Sequence, residues 1–144
     1  MSATDSFASI RRSFELFNAG RMDAIFDEIF DPDIDYAGDP DIGALVGLPP
    51  DLRGADAVRP LWQAFFEIFD EVQISDIELE EIAPGQVLGS GHMIARGGSS
   101  AVPIDTTFHF AWVVRDDGRQ TFLASNLDRE APRAALADHL AGRR

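Results

Sequence analysis

Apolar residues recur at helical spacing in the first half of the chain and at strand spacing in the second. Phe7, Ile10, Phe14 and Phe17 stand at intervals of three, four and three, which is one face of an amphipathic helix. Thr4 or Asp5 can cap its start, and Gly20 can stop it. "MDAIFDEIF" predicts a second, short helix with Ile25, Phe26, Ile29 and Phe30 on its apolar side, ended by Pro32. "DIDY" reads as a short strand with Tyr36 near its end. From Ala37 to Arg53 the chain is rich in Gly and Pro, and a long connection is expected there. "ADAVRPLWQAFFEIFDE" predicts a third helix after Gly54. Val58, Leu61, Trp62, Phe65, Phe66 and Phe69 form its broad apolar side, and Pro60 must stand near its start or kink it.

The period then changes. "VQISDIELEEI" alternates, a turn falls at Pro84–Gly85, and "QVLGSGHMIARGG" reads as a strand in which Gly89 and Gly91 are places for bulges. "GGSSAVP" is a loop. "IDTTFHFAWVVRD" is the strongest strand, with Phe108, Phe110, Trp112 and Val114 on one parity and Thr107, His109, Ala111 and Val113 on the other. "DDGR" is a hairpin turn, "QTFLASNLD" its returning strand, and a last helix runs from about Pro132 to Leu140. Three helices with one early strand, then an antiparallel meander and a short helix, argue an α+β fold with helices on one face of a curved antiparallel sheet. Such a sheet encloses a cone, and a cone can hold a ligand.

Composition narrows the chemistry. At 144 residues, one domain spanning 1–144 is expected, and roughly 68–70 % of the unfolded surface can be buried. There is no Cys, so disulfides, thiol nucleophiles and thiolate metal sites are excluded. Twelve basic residues, all Arg, face 25 acidic ones, a net charge of −13. That excess repels a phosphate backbone, so no nucleic-acid partner is expected. The absence of Lys excludes a Schiff-base or P-loop lysine. His92, His109 and His139 share no ligand spacing and no EF-hand or HExxH pattern occurs, so neither metal nor cofactor is expected. No apolar run is long enough to span a membrane and "MSATDSFASIRRSF" has no signal core, so no membrane partner and a cytoplasmic location are expected.

Four pieces carry a resemblance: "FELFNAGRMDAIFDEIFDPDIDY", "LRGADAVRPLWQAFFEIF", "FHFAWVVRDDGR" and "SNLDREAPRAAL". In this order and spacing the chain resembles the nuclear transport factor 2-like superfamily, in its SnoaL-like polyketide cyclase and ketosteroid isomerase-like branch. The resemblance implies a cone-shaped curved antiparallel sheet wrapped around three N-terminal helices, with one deep, mainly apolar pocket. It implies that the Phe108 parity faces the pocket and the His109 parity faces away. It also implies a homodimer through the outer sheet face; apart from the resemblance, an outer sheet that includes His109, Ala111 and Val113 could make this an interaction protein that pairs with itself or with another chain. Ketosteroid isomerases use a helix tyrosine, a strand aspartate and an aspartate base. On this chain those positions fall at Ser13, at Phe110, and near Gly38 or Asp39, so the standard residues are not matched. The inward Phe108 and Phe110 likewise stand where the superfamily's epoxide hydrolases would carry an Arg and Asp pair.

The polar groups that remain near such a pocket are Asp39, Tyr36 and Asn126. Asp39, in an apolar cavity, could act as general base or acid, or simply begin a turn before Pro40. Tyr36 could donate to a carbonyl or oxyanion, or be a strand aromatic with a wet tip. Asn126 falls on the parity of Phe122 and Ala124, which the family register turns inward; otherwise it makes a local turn bond. His92 could shuttle protons if its parity faces in, or be a half-exposed strand residue. His139 sits beside what reads as a disordered tail. Phe14, Phe17, Trp62, Phe66, His92, Phe108, Phe110 and Trp112 are the expected pocket lining, unless the aromatics merely fill a core. These features leave two functions open: a proton-transfer enzyme of isomerase, cyclase or dehydratase type acting on a small hydrophobic, carbonyl-bearing ligand, or a non-catalytic binder using the same pocket.

Overall fold

A computed structural model describes residues 3–98 and 103–144. Helix α1 (Ala3–Asn18) starts at Ala3, so Asp5 lies in its first turn, where its charge suits the helix dipole, and is not the cap. Helix α2 (Met22–Ala24) runs on into a π turn, Ile25–Ile29. The helical stretch ends there, three residues before Pro32, because Phe30 already opens strand β1 (Phe30–Ala37). Pro32 falls in the part of β1 where the pairing register shifts, so its missing N–H breaks no ladder bond.

The expected long connection contains structure. Helix α3 (Pro40–Val46) and the short strand β2 (Asp51–Arg53) occupy most of it. Its local signals agree: Asp39 caps, Pro40 takes the first turn, and Gly47 closes the helix in the left-handed conformation. Helix α4 (Ala55–Ile68) then leads into β3 (Glu71–Ala83), β4 (Gln86–Arg96), β5 (Ile104–Val114) and β6 (Gln120–Asn126), and α5 (Glu130–Leu140) follows. The loop expected at "GGSSAVP" falls largely on residues 99–102, outside those described.

The sheet order is β2-β1-β6-β5-β4-β3. All neighbours pair antiparallel except β1 with β6, which run parallel, so the sheet is mixed where the sequence predicts an antiparallel one. The bulge lies on β3, between Ser75 and Glu78, with Asp76 at φ 54°, and not on β4, whose register with β5 is unbroken. Asn18, at the end of α1, grips β3 just before that bulge: its Nδ2 donates to the Ile74 carbonyl and its Oδ1 accepts from the Ile74 N–H, both at 2.8 Å.

Gly89 and Gly91 serve packing. A Cβ on Gly89 would stand 2.6 Å from the Glu78 carbonyl oxygen and 2.8 Å from Trp112 Cζ3. One on Gly91 would stand 2.7 Å from Ile77 Cδ1. Their inward positions are filled by neighbouring side chains.

Two apolar clusters result. The larger lies inside the cone, where Ile10 and Phe17 of α1 and Val58, Leu61, Phe65 and Phe69 of α4 meet the inward rows of the sheet. The smaller lies on the outer face, where Leu136 of α5 covers Ala37, Ala111, Phe122 and Ala124. Among the described residues no helix is long and apolar enough to cross a membrane.

Candidate functional site

The cone encloses a cavity of about 90 Å³ by the measure in which a single water needs roughly 10–15 Å³. That is room for several waters or one small ring compound. Its walls are aromatic. Phe14 and Phe17 come from α1, Trp62 and Phe66 from α4, and Phe108, Phe110 and Trp112 from β5. The rings support one another: Phe14 meets Trp112 edge-on at 5.9 Å between centroids, Phe17 meets Trp62 at 5.6 Å, and Phe110 stacks on Trp112 at 5.3 Å. Aliphatic groups complete the wall, among them Ile42 of α3, Ile74, Met93 and Leu123.

Five polar side chains reach this apolar space besides the indole of Trp62: Ser13, Tyr36, Asp39, Gln120 and Ser125. Tyr36 is 6 % exposed. Burial pushes its phenol up to about 12, an effect the nearby Asp39 charge reinforces and a hydrogen-bonding approach of Trp62 opposes. A phenol in that range keeps its proton at neutral pH and can serve as a donor. Its backbone is held from the other side of the strand, where Arg144 Nη2 donates to the Tyr36 carbonyl at 3.2 Å.

Asp39 is 7 % exposed and sits beside Tyr36 on the wall. Its Oδ1 accepts from the Asp41 N–H at 2.7 Å, capping α3, and its Oδ2 accepts from the Leu127 N–H at 3.0 Å. The turn expected before Pro40 is therefore real, and the same residue also lines the cavity. Each oxygen keeps a second lone pair for a further hydrogen bond.

Asn126 is not brought to the cavity. Leu123 and Ser125 line it, so Phe122, Ala124 and Asn126 face outward, beneath or beside α5. Asn126 Oδ1 accepts from the Asp128 N–H at 2.8 Å, a local turn bond. The physical reason is the register shift between Val113 and Val114, which places Gln120 inward and inverts the row that plain alternation from Gln120 would give. His92 is not in the lining either. It stands on the outward parity of β4, between the inward Gly91 and Met93, and pairs with Asp105 on β5. His109 also faces outward, into a polar groove beside Arg129, just before α5, and Arg133 of α5.

Ala111 is wholly buried under α5, so it is not open for contact with a second copy, while Val113 packs partly buried against the same cluster. The C-terminal tail is not loose. Arg144 Nε and Nη2 donate to Asp35 at 3.1 and 3.2 Å, and His139 of α5 meets the same carboxylate. Sequence reasoning missed Gln120 and Ser125 as cavity residues. Only the bulge reveals their orientation.

Residues 10–122 match the SnoaL-like domain family, and the chain belongs to it. The fold is the nuclear transport factor 2-like cone. A nuclear transport factor 2-like protein of unknown function from Burkholderia pseudomallei superposes with a TM-score of 0.73 at 18 % identity, covering 97 % of this chain and 98 % of that one. TerC, co-crystallized with polyporic acid, gives a TM-score of 0.71 at 17 % identity over 94 % of this chain and 96 % of that one. IdmH, a putative polyketide cyclase from Streptomyces antibioticus, gives 0.69 at 18 % identity over 92 % of this chain and 98 % of that one. A comparison with curated proteins gives no match.

Proposed function

We propose that this SnoaL-like protein takes a small, apolar, carbonyl-bearing ring compound into its aromatic cavity and moves a proton on it. The observation that carries this reading is that Tyr36 and Asp39, a donor and a carboxylate, both line one mainly apolar cavity. Tyr36, held in its protonated form, donates to the carbonyl oxygen and stabilises the negative charge that develops there. Asp39 takes the proton from the carbon next to the carbonyl and returns it elsewhere. That sequence serves isomerases, cyclases and dehydratases alike. It uses neither of the steroid-isomerase positions now held by Ser13 and Phe110.

A second reading has its own support. Both carboxylate oxygens of Asp39 already hold backbone N–H groups. A carboxylate serving only as a structural cap would leave a binding module with the same cavity and no turnover. In either reading a second copy of the chain is the proposed partner, docking through the part of the outer sheet that α5 leaves open, on β3 and β4.

The carbonyl-directed role is tested by NMR titration of the wild type with 1-tetralone and with tetralin, which lacks the oxygen. The ketone is expected to bind about tenfold tighter, the worth of one good hydrogen bond. Tyr36→Phe is expected to abolish that preference and leave tetralin binding unchanged. Equal binding of the two compounds to the wild type contradicts the assignment of Tyr36.

A further inference from the structure

Gln120 is a fully buried amide at the start of β6, and it lines the aromatic cavity. Its two ends differ in their partners. Ser9 Oγ donates its single proton to the Gly118 carbonyl at 2.7 Å, so toward Gln120 it can only accept. The amide nitrogen therefore faces Ser9, and Nε2 donates to it at 3.4 Å. Oε1 is left with no partner among the described residues. A buried acceptor without a donor costs roughly 1–3 kcal/mol, and an apolar residue of the same shape would carry no such cost. The groups around it do not cure the defect. Ser13 Oγ, the polar group that α1 contributes to the lining, spends its own proton on the Ile10 carbonyl at 2.6 Å. Phe30 and Phe14, also of the lining, have no side-chain donor to offer.

The position of Gln120 relative to Tyr36 gives the missing donor a place on the ligand. Tyr36 pairs with Leu123 of β6, three residues after Gln120. The bulge on β6 takes up one of those residues: Leu123 pairs with Trp112 and Gln120 with Val114 of β5, so at ~3.3 Å per strand residue the two sites lie ~7 Å apart along the sheet. The lining thus offers a hydrogen-bond donor at Tyr36 and, at a separate point, an acceptor at Gln120.

We propose that Gln120 determines ligand specificity: its Oε1 accepts a hydrogen bond from a hydroxyl group at the inner end of a ring ketone whose carbonyl is held by Tyr36. The ligand class is a hydroxylated, phenol-like ring ketone with its two oxygen functions at opposite ends. This inference rests on the cavity being the ligand site and goes beyond it by fixing what the far end of the ligand must carry.

The experiment is an NMR titration of the full chain with three probes: 1-tetralone, 6-hydroxy-1-tetralone and 6-methoxy-1-tetralone. The hydroxylated ketone is expected to bind about tenfold tighter than 1-tetralone, and the methoxy compound, which has no proton to donate, no tighter. In Gln120→Leu the tenfold preference is expected to vanish while affinity for 1-tetralone holds. Equal affinity of all three probes for the wild type overturns the role of Gln120, as does a preference that survives in Gln120→Leu. Should that variant not fold, the hydroxy and methoxy comparison on the wild type decides alone. If no probe binds the wild type, the ligand reading of the cavity falls, and this inference falls with it.

Discussion

His139 Nδ1 lies 2.8 Å from Asp35 Oδ2, joining α5 to strand β1 across 104 residues of sequence. Asp35 is buried, and Arg144 and Arg53 share its carboxylate. Burial alone would push this carboxyl up. Hydrogen bonds from Arg144 and His139, with the charges of Arg144 and Arg53, outweigh it and hold the carboxyl below its ordinary value of 3.8. A depressed carboxylate binds its proton more weakly in the folded state than in the unfolded one. Its stabilisation is therefore complete above 3.8 and is lost as pH falls from there through the lower folded value. Asp35→Asn removes this linkage. Denaturant titrations from about pH 6 down to about pH 2, across the range in which carboxylates take up protons, should show a shallower acid loss for Asp35→Asn than for the wild type. Parallel acid curves would contradict the depressed pKa.

The same cluster anchors the C-terminal residues, so breaking it from the other side is a separate test. Arg144→Met leaves Asp35 buried with a weaker set of partners. A loss of about 3 kcal/mol in unfolding free energy is expected, since removal of one partner from a buried ion pair leaves charge uncompensated. Loss of α5 packing over Phe122, whose ring stacks on His139 at 4.5 Å, should appear in the near-ultraviolet circular dichroism.

Much of this was legible in the chain. The alternation of Phe108, Phe110 and Trp112 marks an inward row because large aromatics at period two bury one face. Helices α1 and α4 were legible for the same reason at period 3.6. Helix α3 was hidden by a Gly and Pro count, although Asp39, Pro40 and Gly47 are themselves a helix start and stop. The facing of Asn126 was not legible, because one register shift inverts a strand and leaves no mark in hydropathy. The partnership of His139 and Asp35 was hidden by sequence distance alone.

Gly89 tests the packing of the sheet against the aromatic wall. Its added Cβ would meet the Glu78 carbonyl, which belongs to the paired strand and cannot swing aside. Gly89→Ala should destabilise by about 1–3 kcal/mol, the range of overpacked cores. An unchanged denaturation midpoint would mean that β3 and β4 move apart easily.

The proposed partner is tested by sedimentation velocity. The wild type is expected to run as a dimer at micromolar concentration. Ile94→Glu, on the outward parity of β4, is expected to run as a monomer with its fold intact. A monomeric wild type would rule out the outer sheet as a contact between copies.

The most direct test of the proposed proton transfer is exchange of the protons next to the carbonyl of 1-tetralone in D₂O, followed by NMR. Asp39→Asn suits this test because Asn caps a helix as well as Asp, so α3 should keep its cap. The wild type is expected to speed the exchange, and Asp39→Asn to slow it about 10²-fold or more while still binding the ketone. Exchange at the same rate in both proteins, or none above the uncatalysed background in the wild type, would contradict the account and leave the cavity a binding site only.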